Sequence, residues 1–216
     1  MDTDVMVGFG GKQAWLAVRD GDPAEVLAAL GLGDLGEVRW RDGIDLAHLT
    51  DDRVAVTPPL PGAGGSPWVL VAGRHLMRPD VPLDLAALSK QLHTEVQFFA
   101  THRVTETHRW QRADDGSLIR AFGYVGQTGD VTSWYGDPDP VELAAGLPAR
   151  LPGDEPEPGS LDDELIRLLE DGDLPASTTV LVSEHDVLRV AAGWSIDPTG
   201  LDGRQAPGPL RVGSAA

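Results

Sequence analysis

Cysteine is missing from this chain altogether, which excludes disulfides, thiolate metal sites and a cysteine nucleophile. Long apolar runs are missing too. No window approaches the roughly 18 consecutive apolar residues that a membrane helix needs, so no membrane span is expected. The opening MDTDVMVGFGG carries no basic stretch and no extended apolar core, so we expect no secretory leader and a cytoplasmic location. Basic residues are scarce: 17 Lys and Arg stand against 34 Asp and Glu, for a net charge of −17. A surface of that sign repels nucleic acid and anionic membranes at long range. Both are excluded as expected partners, and a protein partner remains. No phosphate-loop, nucleophile-elbow, dinucleotide or zinc-helix motif is present, so no cofactor and no metal site is expected. Gly8-Phe9-Gly10-Gly11-Lys12 lacks the spacing and the Ser/Thr of a phosphate loop, since Gln13 follows the lysine.

What is present is a soluble-protein composition, 41% hydrophobic and 24% charged, with 26 Gly and 17 Pro that assign much of the chain to loops. Residues 1–11 read as a frayed lead-in. Strands are expected at 13–18, 37–40, 53–57, 68–72 and 131–135. The continuous apolar run Trp68 to Ala72 calls for cover on both faces. Helices are expected at 23–30, with Asp22 as cap and Gly31 as stop, and at 43–49, 83–92, 140–147, 161–170 and 184–192, the last opened by a Ser183/Asp186 capping pair. Residues 58–67 read as a loop. Residues 148–160 are rich in Pro, Gly and acids and read as a flexible linker. Acidic residues crowd on from there to Asp173, a solvated face or a docking surface for a basic partner.

The central feature is Thr94 to Gly126, read as one long β-hairpin turning at Asp114-Asp115-Gly116. A three-residue loop with Gly116 at positive φ pairs Ala113 with Ser117, His108 with Phe122 and Glu106 with Tyr124. A two-residue loop sets His108 against Gly123 instead. The three-residue register keeps Val96, Phe98, Ala100, Val104, Trp110, Leu118, Phe122 and Tyr124 on one face, and His102, Glu106 and His108 fall among them. On a straight strand His102 and Glu106 stand about 13 Å apart and Glu106 and His108 about 7 Å. The Glu106/His108 couple, with His102 or Tyr124, is the candidate catalytic set. A carboxylate beside an imidazole orients it and raises its pKa. The same pair, closed by the Tyr124 hydroxyl, serves equally as a buried structural contact.

The opposite face carries Arg103, Arg109 and Gln111 with Thr101, Thr105 and Thr107, and Arg112 and Arg120 add to the local positive charge. This is a candidate receptor for an anionic ligand or an acidic partner segment. Six tryptophans are many beside four Phe and two Tyr. Trp194 is expected to dock the last helix on the sheet. Trp134-Tyr135, on what reads as an edge strand, is a candidate partner-binding edge.

The segments E-V-Q-F-F-A-T-H-R-V-T-E-T-H-R-W, D-G-S-L-I-R-A-F-G-Y-V-G-Q-T-G-D and V-L-R-V-A-A-G-W-S-I-D-P resemble a bacterial protein family of actinobacterial cast with no assigned activity. The resemblance covers roughly residues 12–200. It implies no catalytic residue. It does imply that the last helix belongs to the same fold as the hairpin.

The expectation is therefore an α+β protein built on an antiparallel-rich mixed sheet with helices packed on one face. Its domain spans 12–147 around the 94–126 hairpin, followed by the 148–160 linker, a docking helical segment at 161–198 and a mobile tail at 199–216. The expected function is a non-catalytic bacterial accessory or immunity-type protein that binds another macromolecule. The alternatives are a hydrolase or lyase using the Glu106/His108 pair, and a divalent-metal-binding protein.

Overall fold

A computed structural model describes residues 4–78, 83–151 and 180–215. Most of the expected linker and all of the helix expected at 161–170 lie outside the described residues. Apolar alternation along the strands organises everything else. The residues at even positions of β1 (Ala14–Arg19) and β6 (Val96–His102) enter one core, and those at odd positions enter the other. The remaining strands are β2 (Gly33–Val38), β3 (Arg53–Val56), β4 (Leu60–Pro61), β5 (Pro67–Ala72), β7 (Thr107–Asp114), β8 (Ser117–Val125), β9 (Asp130–Tyr135) and β10 (Leu210–Ser214). They form a single sheet ordered β2-β10-β3-β5-β1-β6-β7-β8-β9, with β4 beside β5. Every pairing among the described strands is antiparallel. The fold is α+β.

The helices were expected on one face, and they cover both. α1 (Pro23–Ala29) and α3 (Leu85–Leu92) close the core of Leu16, Val69, Val71 and Phe98. α2 (Trp40–Leu49) and α5 (Glu184–Trp194) close the core of Trp15, Leu70, Phe99 and Trp110, with α4 (Pro140–Ala144) packed against α5. Two cores arise because the central strands β1 and β5 are apolar on both faces, and neither face can be left in water. Each fully buried large side chain adds about 1.5–3 kcal/mol. Aromatic stacking adds direction: Trp15 lies 5.2 Å from Phe99 and Trp110 4.3 Å from Phe122, centroid to centroid.

Local signals set the helix starts. The Asp22 carboxylate accepts from the Ala24 and Glu25 amides, Asp84 accepts from Ala87, and Ser183 with Asp186 forms a capping box. Trp194 docks α5 as expected, packing on Phe99 and donating its indole N–H to Asp139 Oδ2 at 2.6 Å.

Both ends of the chain depart from expectation. The lead-in is packed, with Met6 and Phe9 buried. The expected mobile tail supplies β10, which sits inside the sheet between β2 and β3. Its Leu210 and Val212 are buried. Between them, the 33–38 strand and the 53–56 strand provide the ladder that holds it.

The largest correction concerns the hairpin. The arm read as one strand from 94 to 113 is two strands, β6 and β7, joined by a tight turn at residues 103–106. Glu106 there takes φ +49, and its carbonyl accepts the Gly126 amide at 2.9 Å. The result is a three-stranded meander. Its second turn is the two-residue Asp115-Gly116 loop, with φ +41 and +87, and Asp114 faces Ser117. A bulge between Arg112 and Ala113 then shifts the register by one, so that His108 faces Tyr124 and Trp110 faces Phe122. The bulge keeps Trp110, Phe122 and Tyr124 on one face despite the shorter loop.

Candidate functional site

Four residues in the 103–106 turn reverse the parity of the face. Ala100 now faces Arg109, and Phe98 faces Gln111. The predicted set of His102, Glu106 and His108 is therefore divided. His102 lies on the α3 face, opposite Thr107, and its ring nitrogen pairs with Thr105 Oγ1 at 2.9 Å. Glu106 is exposed in the turn. His108 is buried on the α5 face. Neither Glu106 nor Tyr124 is its hydrogen-bond partner among the described residues. That partner is Thr101, directly across the ladder, with Oγ1 3.0 Å from His108 Nδ1.

Thr101 in turn reaches Glu184 at the start of α5, Oγ1 to Oε2 at 3.4 Å. The Lys12 amide donates to the same oxygen at 3.2 Å, and Arg103 Nη2 donates to Oε1 at 2.6 Å. Burial pushes the Glu184 carboxyl up, but Arg103, the Lys12 amide and Thr101 outweigh it and hold the group below its ordinary 4.5. An ionised Glu184 only accepts, so the single Thr101 proton points to it and His108 Nδ1–H donates to Thr101. Burial holds the His108 imidazole below its ordinary 6.5, and the Glu184, Asp186 and Glu106 carboxylates pull it part of the way back. The chain His108–Thr101–Glu184–Arg103 orients a neutral imidazole and ties the first residue of α5 to the sheet.

The Gly-rich loop at 8–12 is stitched down by the same means. Gly8 donates to Asp202 Oδ1 at 3.1 Å, Gly10 to Gln13 Oε1 at 3.0 Å and Lys12 to Glu184. The chain's own side chains take the amides that a phosphate loop would offer to a ligand.

Among the candidate binding residues, Arg103 is spent on Glu184. Arg120 is fully buried, its Nε 2.8 Å from Glu142 Oε1, and its Nη1 donates to the Tyr135 and Gly136 carbonyls. Glu142 also accepts from the Trp110 indole at 2.6 Å and from the Asp139 amide at 3.0 Å. This cluster fastens α4 to the end of the sheet. Trp134 is half-buried, edge-on to Phe122, with the Arg120 guanidinium 4.4 Å from its ring centroid. Tyr135 is exposed on β9, which is an edge strand as expected.

Arg109 has a different setting. It lines a groove of about 420 Å³ on the α3 face, between β6–β7 and the segment around Met77 and Leu83. Its guanidinium stands 6.0 Å from the centroid of Phe98, and Gln111 and His102 share the wall. No carboxylate among the described residues pairs with Arg109. Among the described residues no cluster of three His, Asp or Glu is placed to hold a metal ion, and no helix is long and apolar enough to cross a membrane.

The sequence placed Thr101 only on the candidate anion-receiving face, and Glu184 was not a candidate. The capping box placed Glu184 at a helix start, but nothing local aimed it at a strand 83 residues away. No protein-family model matches the chain, nor does any curated protein or solved structure.

Proposed function

We propose that this chain is a non-catalytic binding protein, of the bacterial accessory or immunity type, that engages an acidic segment of a partner protein through the groove of β6 and β7. The observation that carries this reading is Arg109. It is an exposed guanidinium without a carboxylate partner among the described residues, in a protein with twice as many acidic as basic residues, set over an aromatic ring in a concave surface. Guanidinium over an aromatic, with an amide beside it, suits a carboxylate flanked by apolar side chains. The hydrolase or lyase reading is weaker, because Glu106 stands in the turn and the Glu184 carboxylate is already saturated with donors. The metal reading is weaker because His102 and His108 lie on opposite faces.

The test is a titration with a short peptide alternating glutamate and leucine, followed by amide chemical shifts. Saturable shifts at Phe98, Arg109 and Gln111, lost in Arg109→Glu, are expected. Shifts that are absent, or that persist unchanged in the variant, overturn the reading.

A further inference from the structure

Tyr135 and Arg109 belong to one face of the sheet, two strands apart, and the ladders set this. Arg109 stands opposite Gly123 on β8, and Gly123 opposite Ser133 on β9. Gln111 stands opposite Ala121, and Ala121 opposite Tyr135. Residues in register on neighbouring strands project to the same side, so these six share the α3 face. Trp134, one position along, projects to the other side and meets Phe122 edge-on. Of the two β9 aromatics it is therefore Tyr135 that shares a face with the Arg109 groove, and it is 54% exposed. The β8 residues between them, Ala121 and Gly123, are buried and rise little above the backbone. The six residues carry one charge, the exposed Arg109 guanidinium.

We propose that the acidic partner segment runs on from Arg109 across β8 to Tyr135, in extended form, and carries an aromatic residue four positions from its carboxylate. This rests on the Arg109 reading and extends it. Neighbouring strands lie about 4.8 Å apart and residues rise about 3.3 Å, which puts the Arg109 and Tyr135 Cα atoms about 12 Å apart. Four residues of extended chain span about 13 Å. Parity matters as well. In an extended segment, residues two and four positions apart face the same way. A carboxylate and an aromatic four apart thus both turn to the sheet, and the residue midway passes over Ala121 and Gly123. Charge selects the acid at one end, because Arg109 has no carboxylate partner among the described residues and no acidic side chain lines its groove. Ring stacking on an exposed tyrosine selects the aromatic at the other.

Two peptides of one composition test this, each with blocked ends, titrated into the full chain and followed by amide chemical shifts. Both hold one glutamate and two phenylalanines among serine and glycine. In the first, the phenylalanines stand four positions to either side of the glutamate. In the second, they stand directly beside it. The first is expected to bind about fivefold tighter, the scale of one aromatic pair, with shifts at Ser133 and Tyr135 joining those at Arg109 and Gln111. Tyr135→Thr, at an exposed position and suited to a strand, should abolish the preference and leave the second peptide bound as before. Arg109→Glu should abolish binding of both. Equal affinities, shifts that stop short of β9, or a preference that survives Tyr135→Thr overturns this proposal while the Arg109 reading stands. No saturable shift with either peptide overturns both. If Tyr135→Thr does not fold, the affinity ratio and the reach of the shifts in the unaltered chain decide.

Discussion

Thr101 and His108 face each other across the β6–β7 ladder, hydroxyl to imidazole at 3.0 Å, and Glu184 closes the contact from the start of α5. Two neighbouring strands and a helix 83 residues away in sequence meet at one hydroxyl.

Acid should act on this contact through two groups, His108 first and Glu184 at lower pH. The folded pKa of His108 lies below its unfolded 6.5, so the unfolded chain binds the proton first and stability falls as pH drops below 6.5. Glu184 is also lowered, and its contribution is present above 4.5 and lost as pH falls through its folded value. Denaturant midpoints measured from pH 7.5 to 3.5 should therefore decline in two stages. His108→Gln should flatten the upper stage, whereas Glu184→Gln should make the lower one shallower and, by removing a carboxylate that pulls His108 upward, deepen the upper one. Glu106→Gln, at an exposed position, should shift stability by less than about 0.5 kcal/mol. An upper stage that persists in His108→Gln contradicts the assignment.

The Arg120–Glu142 pair predicts a strong asymmetry between single and double replacement. Glu142→Ala strands a buried guanidinium and should cost about 3–5 kcal/mol in urea unfolding. Arg120→Met with Glu142→Leu removes both charges and should cost clearly less than the two single changes added together. Additive losses would mean that the two side chains do not act as a pair.

Trp194→Phe keeps most of the apolar contact with Phe99 and loses the indole bond to Asp139. A hydrogen bond to a charged group is worth about 1.5–3 kcal/mol, and a loss in that range is expected. Amide exchange should speed up in α5 and α4 ahead of β1 and β5, because the bond joins those two helices. Uniform acceleration across the sheet would count against this local role.

Gly116 holds φ +87 at the β7–β8 turn. Gly116→Ala should destabilise by at least about 1 kcal/mol, while the register of β7 and β8, pinned by Trp110 against Phe122, stays in place. Cross-strand contacts seen by NMR in the variant provide the check.

Much of the fold was legible where its causes are local. Asp22-Pro23 and the Ser183/Asp186 pair mark helix starts because a cap acts within three residues. The unbroken run from Trp68 to Ala72 needs cover on both faces whatever surrounds it. Gly116 marks a turn because few other residues take that φ. The turn at 103–106 carries no such mark. It holds no Gly, Pro or Asn, and Glu106 at positive φ has its carbonyl bound by the amide of Gly126, the residue after β8. Missing that turn placed His102, Glu106 and His108 on one face and left Thr101 on the other.

Residue order and side-chain chemistry thus specify the α+β class, the helix caps and the doubly buried strand at Trp68 to Ala72. Tertiary pairing alone decides that Leu210–Ser214 enters the sheet, that His108 finds Thr101 and Glu184, and that Arg109 faces a groove while Arg120 is sealed against Glu142. Several of these contacts, such as Thr101 to Glu184 and β10 to β3, join segments far apart in the chain. Their free energy comes from burial and charge pairing that exist once the sheet has formed, and such terms leave no periodic or local trace in the order of residues.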